Sequence, residues 1–426
     1  MNSTSVGPRP KREASIDDLV ELGARATAVI DEARKRSLRP ENKKTLRTFT
    51  MSEVCRLLDL HPTAYYELIR SNPEFEGSKV DRQRLFTLAE VHKLQGHLNK
   101  LPRQRFGIER ALTLSVANFK GGVAKTFTAV TLAQYLAMRG YRTLAIDTDP
   151  QASLTSSFGL ESRDVDDWNT ILPYLYGREA VEQMGAEWPS SFRETIQPTY
   201  WAGLDIVGAN LALYTGEFAL GLRREQSKDS DRPFEFHRPL YDAIEDVRGD
   251  YDVIVIDNPP ALSLSTTGAI FAADGLILPT PAENLDFESA RAFMALAAEM
   301  LKVIKVSFGE EKRLEIFRIL ITKFAGRAGE MTIANRILEV FGDWCIQEPM
   351  VQSASVQKIG TDWKTLYEVD PRGPGRGVLK RALEAADAVN GLIEADIIDV
   401  FRTRQQQRAA TGGVAGAAAS AAQAAA

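Results

Sequence analysis

The residues with the greatest chemical capacity lie in one run, Lys120-Gly121-Gly122-Val123-Ala124-Lys125-Thr126-Phe127. Its small residues let backbone N–H groups converge, and a helix starting there would add the positive end of its dipole, so the run can cradle an anion of phosphate size. Lys125 can reach β- and γ-phosphates, and the Thr126 hydroxyl can ligate Mg²⁺. Phosphoryl transfer to water further requires a group that orients the attacking water. Carboxylates for these tasks stand in Asp147-Thr148-Asp149-Pro150-Gln151 and at Asp257, which closes the apolar run Val253–Asp257 and can hold Mg²⁺ through water. The chemistry on offer is binding and hydrolysis of a nucleoside triphosphate.

The elements that must position these groups are legible in the flanking sequence. Leu112–Val116 is a short apolar run suited to a buried parallel strand, and Phe127–Arg139 carries apolar residues at helical spacing up to Gly140. Strand, loop and helix thus follow in order. The strict phosphate-loop pattern G-x-x-x-x-G-K-[ST] would place glycine at 119 and 124, where this chain has Phe119 and Ala124. Downstream, Leu240–Val247, Tyr251–Asp257, Thr266–Ala272, Gly275–Pro281, Ala290–Ile304, Ile316–Thr322 and Thr332–Phe341 alternate helix and apolar strand, ending in a long helix over Val378–Phe401. The alternation predicts an α/β fold with a doubly wound, mostly parallel sheet.

Composition bounds the rest. The 426 residues, 44% of them apolar, suffice for two or three domains with a sizeable core. The longest apolar stretch, Ala269–Pro281, is broken by Asp274 and falls short of a membrane span, so no membrane partner is expected. Cys55 and Cys345 are the only cysteines. They supply neither a disulfide framework nor a metal quartet, which fits a cytoplasmic location. The net charge of −5 hides an asymmetry: residues 1–110 hold 21 Lys+Arg against 15 Asp+Glu, a balance of +6, leaving −11 for the remainder. A basic third on an acidic body points that third toward nucleic acid.

Residues 1–14 are polar and read as disordered. Ser15 reads as an N-cap for an amphipathic helix with Ile16, Leu19, Val20, Ala26, Ile30 and Ala33, and 15–39 as a helix that either packs on the next domain or, the preferred reading, pairs with a second copy of the chain. Over 40–101, helices Ser52–Leu58 and Pro62–Arg70 flank a turn at Asp59-Leu60-His61, which is helix-turn-helix spacing. That spacing puts Thr63, Tyr65, Tyr66 and Arg70 on or near the outer face, where groove contacts are made. A basic hairpin with Lys79, Arg82 and Arg84 comes next, resembling the wing of a MerR-like winged helix whose arginines touch phosphates. Residues 102–110 read as a linker, 111–405 as the nucleotide-binding domain, and 406–426 as a disordered Ala-rich tail.

Lys120-Gly121-Gly122, Lys125-Thr126, the Asp-Thr-Asp-Pro-Gln segment and Val253–Asp257 followed by Asn258-Pro259-Pro260, in that order, resemble the deviant P-loop ATPases of the ParA/MinD family. With the preceding helix-turn-helix, the resemblance is to the long ParA type. It implies a P-loop NTPase fold preceded by an all-α, winged-helix DNA-binding domain, ATP and Mg²⁺ as cofactors, and residues 120–127 as the nucleotide cradle. Lys120 would reach the phosphates of a partner subunit, Lys125 would bind them in cis, and Asp149 would orient the attacking water. Asp147 would be either a second metal carboxylate beside Thr126 and Asp257 or a strand-end acceptor that fixes the switch. The resemblance further implies a homodimer, a ParB-type centromere-binding partner, nucleoid association, repression of its own operator, and non-specific DNA contacts near Lys323, Arg327 and Lys358. Two other readings compete: a MinD-like membrane-cycling ATPase and a nucleotide-sensing transcriptional repressor. Asn258 has no role assigned by sequence.

Overall fold

The computed structural model describes residues 15–37, 44–81, 83–351, 364–371 and 376–424. It divides into two compact units, one up to Thr45 and one from Leu46 onward. The first contains helix α1 (Ile16–Ser37). Its start is fixed reciprocally: Asp18 N–H donates to Ser15 Oγ, and Ser15 N–H to Asp18 Oδ2 at 2.8 Å. Ile16, Leu19, Val20, Leu22 and Val29 are all exposed, so this part of the apolar stripe is uncovered among the described residues. The expected disorder of 1–14 lies outside the described residues.

The second unit opens with β1 (Phe49–Thr50), α2 (Met51–Leu57), α3 (Pro62–Ser71), β2 (Ser78–Val80), β3 (Gln83–Phe86) and α4 (Leu88–His97). Capping boxes at Thr50/Glu53 and Thr87/Glu90 start α2 and α4, while His61 caps α3, whose first residue is Pro62. The three strands form an antiparallel sheet ordered β1-β3-β2, with Thr50 opposite Leu85 and Lys79 opposite Arg84. Phe49, Val54, Leu58, Tyr65, Phe86, Val91 and Leu94 fill its interior. Ala64, beside Tyr65 on α3, is exposed.

No free linker separates this region from the nucleotide-binding domain. Residues 102–106 form helix α5 (Pro102–Phe106), with Pro102 and Phe106 buried. Arg103 binds Asp252 at 2.8 Å and the carbonyls of Gly249 and Tyr251. The charge that makes this stretch read as a linker is the charge that docks it.

The main sheet is built from β4 (Leu112–Val116), β5 (Thr143–Asp147), β6 (Gln197–Pro198), β7 (Leu204–Val207), β8 (Val253–Asp257), β9 (Gly275–Pro281) and β10 (Ile316–Thr322). It runs in the order β10-β9-β4-β8-β5-β7-β6, parallel except for the edge pair β6–β7. β4, β5, β8 and β9 are buried along their whole length, as continuous apolar strands between helical layers must be. Helix α6 (Lys125–Met138) follows β4, and α7 (Ser153–Ser157), α8 (Leu172–Tyr176), α9 (Arg178–Gln183), α10 (Leu213–Gln226), α11 (Arg238–Val247), α12 (Leu264–Ala272), α13 (Asn284–Phe308) and α14 (Ala328–Phe341) complete the crossovers. The C-terminal helix, Arg376–Ala424, buries Leu379, Ala386, Val389, Ile393, Ile397 and Phe401. It continues through the Ala-rich stretch expected to be disordered. Alanine has the highest intrinsic helix propensity, and an established helix needs no new nucleus to extend.

Register brings the chemistry together. Val116 lies opposite Asp257, and Asp257 opposite Asp147, so the C-terminal ends of β4, β8 and β5 stand side by side at the edge where open α/β sheets bind ligands.

Candidate nucleotide site

The loop from Ala117 to Ala124 is pinned at both ends. Asn118 donates its side-chain amide to Pro279 O at 2.9 Å and accepts from Lys120 N–H at 3.1 Å. Thr322 Oγ1 at the end of β10 donates to Val123 O at 2.9 Å. Two residues take left-handed backbone, Gly122 at φ +73° and Ala124 at φ +70°. The second explains why glycine is the common choice at 124: an L side chain in that conformation costs on the order of 1 kcal/mol. The turn places Lys125 at the first position of α6, where its side chain curls back to donate to Lys120 O at 3.1 Å. Burial pulls the Lys125 pKa down, while Asp257 and Asp149 oppose it.

Asp257 is fully buried, and neither carboxylate oxygen receives an aligned hydrogen bond. Burial and the neighbouring Asp147 push its pKa well up, with the Thr126 hydroxyl and the Lys125 ammonium working against them. An orphaned carboxylate beside a hydroxyl, at the start of a phosphate-loop helix, fits a divalent cation. Asp257 and Thr126 are the residues that would hold Mg²⁺, which would supply the charge that stabilises a carboxylate so buried.

Asp147 is different. Its Oδ2 accepts from Thr155 N–H at 2.9 Å and the Thr155 hydroxyl at 2.7 Å, and its Oδ1 accepts from Asp149 N–H. Both oxygens are engaged in holding the 147–155 segment, which favours the strand-end acceptor role over the metal role. Asp149 is nearly buried and uses Oδ1 to accept from Gln151 N–H at 2.9 Å, leaving Oδ2 without a described hydrogen bond. Asn258, unassigned by sequence, donates to Ser115 Oγ and Val116 O, stitching the end of β8 to β4.

Lys120 and Gly121 lie at the rim, and Lys120 Nζ is bound to Asp286 Oδ1 at 2.6 Å. Asp286, in the first turn of α13, is one of the site residues that sequence reasoning missed, because only the β9–α13 turn brings it there. Phe127 is half-buried against the main core.

Only part of the expected nucleic-acid set is exposed. Thr63, Tyr66, Arg70 and Lys79 are exposed. Tyr65 is not: it is fully buried in the α2–α3–β3 core, and its hydroxyl donates to Phe75 O at 3.1 Å. A tyrosine reads as surface because of its polar tip, yet here backbone carbonyls satisfy that tip inside. Arg84 is bound to the Glu76 carboxylate at 2.6 Å and to Glu76 O, so its charge is met within the chain and not by a free wing. Arg82 and Lys358 lie outside the described residues. Arg327 is exposed at the start of α14, paired with Glu330. Lys323 stands beside the phosphate loop, its Nζ 3.8 Å from where a β-carbon on Gly122 would project.

Comparison with known proteins agrees with this geometry. A family model described as an AAA domain matches residues 111–308. A putative replication protein A of Rhizobium rhizogenes is 34% identical over 367 residues, covering 83% of this chain and 88% of that protein. SopA of Escherichia coli strain K12 is 28% identical over 386 residues, covering 88% and 95%. Among solved structures, one described as a partition protein superposes with a TM-score of 0.57 at 23% identity, covering 86% of this chain and 99% of that one.

Proposed function

The chain belongs to the ParA/MinD family of partition ATPases, and on that premise we propose that it segregates DNA by an ATP-gated dimer cycle. Lys125, Thr126 and the loop N–H groups hold ATP, and Asp257 with Thr126 holds Mg²⁺. Asp149 orients the attacking water, its carboxylate set at the mouth of the switch by Gln151 N–H. Lys120 leaves Asp286 to meet the phosphates of a second copy, so that ATP binding and dimerisation become one event. A cation delivered in trans acts as an arginine finger does.

The DNA-binding role falls to two surfaces. Residues 46–101 form a winged helix that reads the chain's own operator through Thr63, Tyr66, Arg70 and Lys79. The dimer body holds any duplex by phosphate contacts that include Arg327, which makes that mode salt-sensitive. Helix α1 pairs with its copy through Ile16, Leu19, Val20 and Val29. A ParB-type protein bound at a centromere stimulates hydrolysis, and the nucleoid is the substrate the dimer associates with. Among the described residues no helix is long and apolar enough to cross a membrane.

The observation that carries this reading is the continuity between α6 and the helix-turn-helix region. The helix that starts at the phosphates ends with Ala137 O at 2.7 Å from His92 Nε2, and Arg139 donates to Leu57 O. A nucleotide-dependent shift of α6 would therefore reach α2 and α4, the helices that flank the DNA-reading α3 and hairpin. The same continuity favours the sensor-repressor reading, and turnover separates them. Hydrolysis stimulated by random duplex and a partner protein supports the partition cycle. ATP-dependent operator binding without stimulated hydrolysis supports the repressor.

A further inference from the structure

Lys323 combines three features that the DNA-contact reading does not explain. It follows the last residue of β10, at the sheet edge where the loop, Asp147 and Asp257 converge. It is a non-glycine residue at φ +53°, a conformation costing roughly 1 kcal/mol that persists where the surroundings impose it. Thr322 imposes it on one side through its bond to Val123 O, and Phe324 on the other through its N–H to Met350 O at 3.1 Å. The outcome is an ammonium turned back over Gly122.

The surrounding charges single this lysine out. Lys120 is neutralised by Asp286 at 2.6 Å, and Lys125 faces Asp257 and Asp149. Lys323 is exposed and, among the described residues, makes no ion pair or side-chain hydrogen bond. It is thus the cation beside the loop that no acidic side chain offsets, in a site built to receive a polyanion.

We propose that Lys323 is a nucleotide ligand, its ammonium contacting the phosphates of bound ATP from the β10 side of the loop. This rests on ATP occupying the 120–127 cradle. The backbone strain at 323 then belongs to the binding site, holding the lysine over the loop before the nucleotide arrives, which reduces the ordering cost of the contact.

Phosphate is also what DNA offers, so the test must separate the two sources. Titrations of a fluorescent ATP analogue and of ADP would compare the full chain with Lys323→Ala, Lys323→Arg, Lys323→Gly and Lys125→Ala. Binding of random duplex would be measured in parallel at saturating ATP and two salt concentrations. Lys323→Ala should weaken ATP about tenfold, the equivalent of about 1.4 kcal/mol. Lys323→Arg should recover most of that. Lys323→Gly should match the wild type or exceed it in thermal stability, because the strain is relieved, yet bind ATP as poorly as the alanine variant. Duplex affinity and its salt slope should not change. Unchanged nucleotide affinity in Lys323→Ala would overturn the proposal, and with a reduced salt slope it would return Lys323 to DNA. Should Lys125→Ala also bind ATP normally, the cradle itself would be misplaced, a failure distinct from that of Lys323 alone.

Discussion

Lys120, the first residue of the phosphate loop's glycine turn, is held by the buried carboxylate of Asp286 on its own chain at 2.6 Å. A lysine tied in cis cannot serve a partner subunit in trans, so the proposed dimer cycle requires the pair to open when two copies meet across ATP. Lys120→Ala should abolish the ATP-dependent dimer while leaving the monomer folded. Its fold should be weakened by about 1–3 kcal/mol, since Asp286 then stays buried without a partner. Asp286→Asn should do the opposite and shift dimerisation to lower ATP concentration. Sedimentation with and without ATP measures both, and an Asp286→Asn protein that dimerises no more readily than the wild type would remove the latch.

Asp149 and Lys125 should separate hydrolysis from binding. Asp149 keeps one oxygen without a described hydrogen bond at the switch, whereas Lys125 is the buried cation at the head of α6. Asp149→Ala should bind ATP and turn over at least a hundredfold more slowly, the scale of a lost general-base or positioning group. Lys125→Ala should lose nucleotide binding. Near-normal turnover by Asp149→Ala would move the role elsewhere, and the engagement of both Asp147 oxygens argues against that residue inheriting it.

The left-handed Ala124 offers a stability test inside the site. Ala124→Gly relieves the Cβ strain but frees the unfolded chain, so the net gain should be at most about 1 kcal/mol. Denaturant unfolding monitored with and without ATP would show it. A destabilised glycine variant would mean that the alanine methyl contributes packing worth more than the strain.

How much of the site is readable without the fold varies with the physics involved. Asp257, Lys125 and Thr126 are legible because strand end, loop and helix start are set by neighbours in sequence. Asp286 is not, because its meeting with Lys120 depends on the turn between β9 and α13. Tyr65 and Tyr66 carry the same side chain one position apart, and helical phase sends them to opposite fates; pattern alone leaves that phase ambiguous because both are amphipathic. Arg103 and Arg84 look solvated in sequence because their partners, Asp252 and the Glu76 carboxylate, are recognisable only once the chain has closed.

Asp274, immediately before β9, anchors a buried ionic network and gives a pH signature. Both of its oxygens bind Arg248, which is 2% exposed, and it accepts from Thr113 N–H, with Arg404 beside it. Burial alone would raise its pKa, but Arg248, Arg404 and that N–H prevail and hold it below the usual carboxylate value. A depressed folded pKa contributes stability that is present above the unfolded pKa, near 3.8, and is lost as pH falls through the folded value. Asp274→Asn should therefore cost about 3 kcal/mol at neutral pH, since Arg248 then stays buried with Glu245, at 3.0 Å, as its remaining carboxylate. It should also flatten the acid limb of the stability curve. An acid limb that matches the wild type would place the pH dependence in other carboxylates.

The last expectation concerns the two DNA-binding modes, and the structure decides how they can be tested. Removing residues 1–110 would strip Phe86, Val91, Leu94 and Phe106 from a core shared with α6, so that deletion confounds folding with binding. Point variants on the exposed face avoid this. Arg70→Ala and Tyr66→Ala lie on α3 away from the core, and Lys79→Ala lies in the β2–β3 hairpin. If α3 reads base edges, Arg70→Ala or Tyr66→Ala should weaken binding to the chain's own operator by about 1–3 kcal/mol and relax sequence preference. Lys79→Ala, as a phosphate contact, should weaken operator binding without altering preference and lower the salt slope by about 1. None of the three should change ATP-dependent binding of random duplex, which the proposed cycle assigns to the dimer body. Removing residues 1–45 should leave the second unit folded and, if α1 pairs with its copy, weaken both modes together through the dimer. Binding to operator and random duplex at two salt concentrations, with ATP and with ADP, measures all four. Equal losses on operator and random duplex for Arg70→Ala would merge the two modes into one DNA-binding surface and favour the repressor reading.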